Sequence, residues 1–127
     1  MLATIATVLA AVVALAVVAM GITGMLRPSF YAGFGIPGTA EAQDDPVLTA
    51  WLTVKGNRDL GSGLMLLIVT LLGTTSLAGW VMLAAAVMPI CDGLTVLRAK
   101  GPRAAAIGVH LTTAASMMLI AVLLLLA

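Results

Sequence analysis

Two carboxylates, an imidazole and two cations stand at Lys55, Arg58, Asp59, Asp92 and His110, inside stretches that are otherwise apolar. These are the parts of proton-transfer chemistry, with Asp59 or Asp92 as general base or acid, His110 as proton partner and Arg58 as the cation that meets developing negative charge. A proton-moving isomerisation, a cyclisation or an epoxide opening needs no further group, so no cofactor is expected. Lys55, Asn57, Tyr31, Phe34, Trp51 and Thr113 are the candidate substrate contacts. No metal is expected, because one Cys91 and one His110 with two Asp follow no recognised ligand spacing.

The setting makes these residues informative. The apolar run Leu60 to Leu72 holds 13 residues. At about 1.5 Å per residue it covers roughly 20 Å, short of a hydrocarbon core of about 30 Å. A spanning helix must therefore reach back through Asp59 and Arg58 toward Lys55. Charge inside a membrane marks a functional site by default, and it faces a bundle interior or a wet cavity. The membrane itself follows from composition: 62% hydrophobic and 9% charged residues give a mean hydropathy of +1.20, more apolar surface than a soluble core of this size can hide. A net charge of +1 without a basic tract excludes nucleic acid as a partner.

The helices that must position the charges can be bounded from local chemistry. The fold class expected is all-α, an antiparallel four-helix membrane bundle in a single domain over 1–127, with spans at about 2–26, 46–73, 77–100 and 103–126. The run Leu2 to Leu26 has no charge and is read as a retained span rather than a signal peptide. Its Ala6, Ala10 and Ala14 recur every four positions, which either lets another helix approach closely or marks an alanine-rich face turned to lipid. Arg27-Pro28 opens one long connection to Asp45, where Gly33, Gly35, Pro37 and Gly38 forbid a continuous helix. Phe30, Tyr31 and Phe34 in that connection are expected at the bilayer surface, as an anchor or as a lid. Asp45-Pro46 is an N-cap followed by proline in the first helical position, and Gly73 is a stop. Thr74-Thr75-Ser76 caps the third span, and Gly101-Pro102 separates it from the fourth.

Arg27 and the group Arg98, Lys100 and Arg103 fall on one side of such a chain, whereas the termini and the 73–76 turn carry no Lys or Arg. The positive-inside rule places that side in the cytoplasm and both termini outside, in a multi-pass cell-membrane protein. Measured from this face, Asp92, His110, Lys55 and Asp59 all lie about 9 to 16 Å deep. Lys55, Asp59 and Ser62 share one helix face, as do His110, Thr113 and Met117. Pro89 is expected to kink the third helix beside the cluster. Unpaired, the four charges of Lys55, Arg58, Asp59 and Asp92 would cost about 10 to 14 kcal/mol on insertion scales, so they must pair, snorkel or surround water, and Arg58 is expected inside the bundle against Asp59 or Asp92. A buried ion-pair network with a purely structural role competes with a functional polar pocket, whose candidate apolar wall is Met88, Met117 and Met118.

The motifs Arg27-Pro-Ser-Phe30, Phe34-Gly-Ile-Pro37, Lys55-Gly-Asn-Arg58-Asp59-Leu60-Gly-Ser-Gly63-Leu64, Pro89-Ile-Cys-Asp92 and His110-Leu-Thr-Thr113-Ala together resemble the small membrane proteins classed as domain of unknown function 4267. The resemblance covers nearly the whole chain. It implies a four-helix membrane fold and carries no assigned reaction. From the residues, the leading expectation is an isomerase, cyclase or epoxide hydrolase type of enzyme acting on a lipophilic small molecule. The alternatives are a small proton-coupled transporter and an assembly subunit of a membrane complex. Small multidrug transporters place an acidic residue in the first span, and here that span has none. The expected partners are the lipophilic substrate and the bilayer, with a homo-oligomer as an allowed assembly.

Overall fold

A computed structural model describes residues 1–127. It is all-helical and contains no strand. Helix α1 spans Leu2–Leu26, and the backbone N–H of Arg27 closes it on the Thr23 carbonyl at 2.8 Å. Pro28 then starts a tight 3-10 stretch, Pro28–Phe34. Gly35 and Gly38 turn the chain onward at φ 91° and 81°, a region that costs glycine nothing. Helix α2, Pro46–Leu72, begins as the sequence predicts, its Asp45 carboxylate accepting from the Val47 N–H at 2.8 Å. Thr74 caps the following helix by accepting from the Leu77 N–H at 3.1 Å.

Helix α3 runs Thr75–Arg98 in two pieces, Thr75–Ala85 and Val87–Arg98. The step at Ala86 lies within the turn before Pro89, which has no N–H to give to the Ala85 carbonyl. The kink expected beside Asp92 is thus present as a break. The helix ends at Arg98, and the left-handed turn that stops it falls one residue before the expected glycine: Lys100 is at φ 59°, with Lys100 N–H on Leu97 O at 3.1 Å and Gly101 N–H on Val96 O at 2.8 Å. Gly101 is needed for a different reason, since a Cβ there would run into the Gly35 carbonyl. Helix α4, Arg103–Leu125, contains a π-helical segment, Ala106–Leu111. Three helices, α1, α3 and α4, are long and apolar enough to cross a membrane. Helix α2 has the length, 27 residues, but carries Lys55, Arg58 and Asp59 through its middle.

Missing side chains set the packing. A Cβ on Gly21 would strike the Leu60 backbone, one on Gly56 would lie 2.8 Å from Met25 N, and one on Gly63 would lie 2.6 Å from Val18 N. Helix α1 therefore lies backbone to backbone along α2, with Ala6, Ala10 and Ala14 fully buried, as the close-approach reading of the four-residue spacing predicts. Gly79 fits against Leu125 and Gly93 against His110 and Leu111, which joins α3 to α4. One apolar cluster, including Leu66, Met82, Met117, Ile120 and Leu124, fills the half away from the charges. Helix α2 packs against Thr75–Ala85 but makes little contact with Val87–Arg98. That parting shapes the site.

Candidate functional site

One lysine organises the carboxylates. Lys55 and Asp59 are one helical turn apart on α2, and Lys55 Nζ lies 3.3 and 3.2 Å from Asp59 Oδ1 and Oδ2. The same Nζ is 3.8 Å from Asp92 Oδ2 on the second piece of α3. Asp59 also accepts a 2.7 Å hydrogen bond from the Tyr31 hydroxyl, so its side chain is held at both oxygens and 16% exposed. Asp92 has only the longer contact and is 47% exposed. Arg58 corrects an expectation: it is exposed and makes no ion pair, although the sequence reading places it inside as partner of a carboxylate. At about 100° per residue it sits a quarter-turn from Asp59, on the outer side of Lys55.

His110 is the buried member, 4% exposed, and lies in the π-helical segment. Its Nε2 is 2.9 Å from the Phe34 carbonyl. A carbonyl can only accept, so Nε2 carries the hydrogen and the neutral ring keeps a bare lone pair on Nδ1. The 28–34 turn leaves Phe30 exposed at its rim. It folds inward, burying Tyr31 to 2% exposure, and stacks Phe34 edge-on against His110 at 5.6 Å. Lys55 Nζ sits 5.0 Å from the Tyr31 ring centre and 5.4 Å from that of Phe34, where aromatic faces add to the attraction of the carboxylates. Burial first, and then the hydrogen bond and charge of Asp59, raise the Tyr31 hydroxyl above its ordinary pKa of 10.0.

These groups surround a cavity of about 100 Å³ into which Lys55, Asp59, Asp92 and His110 all face. Thr113 lines it too, though its hydroxyl is taken by the Val109 carbonyl at 2.6 Å. A second, open groove of about 470 Å³ lies between α2 and Val87–Arg98 and shares Lys55, Asp59, Ser62, Met88 and Asp92 with the cavity. Trp51 and Arg58 belong to this groove rather than to the inner cavity. Asn57 is exposed and lines neither.

The sequence profile of the family described as Domain of unknown function (DUF4267) matches residues 14–124. The chain belongs to the DUF4267 family. No curated protein and no solved structure matches it. The site of this DUF4267 protein also includes residues that sequence reasoning did not single out. Val17 and Met20 of α1 and Leu66 of α2 form apolar wall. The small-residue stripe on α1 gives the signal for Val17 and Met20, since it fixes which face of that helix turns inward. Met88 and Met117 line the cavity as expected, and Met118 does not.

Proposed function

We propose that this protein is an intramembrane, cofactor-independent acid–base enzyme of isomerase, cyclase or epoxide hydrolase type, acting on a lipophilic small molecule. In this reading the four helices form an antiparallel membrane bundle with both termini outside and the charged site in the cytoplasmic half. The register of Gly21 with Leu60 and of Gly63 with Val18, and that of Gly79 with Leu125 and of Gly93 with His110, support an antiparallel course within each pair. The observation that carries the functional reading is the unequal treatment of two carboxylates on one cavity: Asp59 is held by Tyr31 and Lys55, while Asp92 is left half exposed beside the same ammonium. Two carboxylates held so differently can take different roles at one site.

Asp92 then takes or gives the proton, and Asp59 is a positioning residue that fixes Lys55. Lys55, rather than Arg58, meets negative charge developing on a substrate oxygen, in an apolar setting where that attraction is strong. His110 offers Nδ1 as the second proton site. Asp92→Asn keeps the shape and removes the basic group. The expected result is a variant with wild-type thermal unfolding in detergent and turnover of a lipophilic compound lowered by about 10²- to 10⁴-fold, the usual worth of general acid–base catalysis. Folded Asp92→Asn protein that converts the compound at wild-type rate overturns the reading. Loss of proton-driven uptake into vesicles, with no product formed in wild type, assigns the chain to transport instead.

A further inference from the structure

The inner cavity is too small for the whole of such a substrate. Its volume of about 100 Å³ falls below the roughly 300 to 1,000 Å³ of small-molecule sites. Only a reacting end fits beside Asp92 and His110. The groove outside it, about 470 Å³, is walled by α2 and by the first turns of Val87–Arg98, with Trp51, Val54, Val87, Met88 and Cys91 along its sides. Trp51, Val54, Val87 and Met88 are 66%, 39%, 54% and 48% exposed, so the groove opens sideways, on the surface that the membrane reading gives to lipid. It lies where α2, packed against Thr75–Ala85, makes little contact with Val87–Arg98. Five residues line both spaces, so the groove adjoins the inner cavity.

We infer that the α2–α3 groove is a lateral entrance and body-binding site for an elongated lipophile whose reactive oxygen function lies near one end. Hydrocarbon alone does not suit the groove, since Arg58 without an ion pair and the half-exposed Asp92 stand in its wall. A charge facing lipid tails costs about 2.5 to 3.5 kcal/mol at mid-helix. An occupant with one polar end places its oxygen among these groups and its chain along Trp51, Val54 and Val87. The inference rests on the proposed function for the reaction at the inner end, whereas binding in the groove is testable without turnover.

The test uses the full chain in phosphatidylcholine vesicles and a long-chain methyl ketone carrying a mid-chain diazirine. After photolysis, mass spectrometry is expected to find labelling between Trp51 and Met88 that saturates and is competed by the plain ketone. Labelling of Leu119 and Val122, exposed on α4, should not be competed. Val87→Trp should lower the competed labelling about tenfold, and Val54→Trp does the same from the facing wall if the first variant unfolds. Labelling that is non-saturable everywhere, or that is competed only on the 28–34 turn, overturns the entrance. Saturable labelling together with full turnover by Asp92→Asn keeps the entrance and sinks the acid–base reading.

Discussion

Lys55 is the only cation within ion-pair distance of Asp59 or Asp92, so removing it leaves two carboxylates facing each other across an apolar cavity. Lys55→Met is expected to destabilise the protein by about 3 kcal/mol, the low end for a broken buried pair because its side chain is 33% exposed. Arg58→Gln, at an exposed site without an ion pair, should stay within about 0.5 kcal/mol of wild type. Thermal unfolding in detergent separates the two, and a larger loss for Arg58→Gln would return Arg58 to the site. Tyr31 gives a second residue-level test, because it is the chain's single tyrosine and its phenolate absorbance is unambiguous. Its proton is held more tightly in the folded than in the unfolded chain. The stability this contributes is complete below pH 10 and is lost as pH rises toward the raised folded value. Phenolate absorbance should therefore appear well above pH 10, and Asp59→Asn should lower the midpoint while leaving it above 10, since burial remains. An ordinary midpoint in wild type would show that Tyr31 is not donating to Asp59. The Lys55–Asp59 face was legible in the four-residue spacing. The Tyr31 link was not, because it joins residues 28 apart through a fold of the connection that no local pattern encodes.

At the scale of elements, close approach of α1 to α2 holds the lysine helix in register. Gly63→Ala places a Cβ 2.6 Å from the Val18 N, and Gly21→Ala collides with the Leu60 backbone. Each should cost about 1 to 3 kcal/mol by overpacking. Gly61, with nothing near it, is the control, and Gly61→Ala should be neutral or stabilise α2 by about 1 kcal/mol through helix propensity. Equal effects at Gly61 and Gly63 would contradict the packing. Helix boundaries set by local chemistry, Arg27-Pro28, Asp45-Pro46 and Gly73, were readable from the residues themselves. The break at Ala86 was readable as a kink at Pro89. The π-helical segment around His110 was not, because a single widened turn leaves no mark on the hydrophobic pattern.

For the whole molecule, the charges at Arg27, Arg98, Lys100 and Arg103 all cluster toward the end that holds the site. The proposed topology predicts that, in a Cys91→Ala background, a cysteine placed at Lys100 reacts with an impermeant maleimide only after the cytoplasmic face is opened, and one placed at Ala127 reacts from outside; the reverse pattern would invert the bundle. The central claim is that the Asp92–Lys55–His110 cavity moves protons on a lipophilic substrate, and isotopically labelled solvent tests it whichever compound that substrate is. Wild-type protein in vesicles, supplied with membrane-soluble compounds of its own source cells in D₂O, is expected to place deuterium on carbon in a product found by mass spectrometry, or a solvent hydroxyl on an opened epoxide in ¹⁸O-labelled water. Folded Asp92→Asn should lower that incorporation by about 10²-fold or more. No wild-type-dependent incorporation from either solvent, or equal incorporation by Asp92→Asn, would contradict the account.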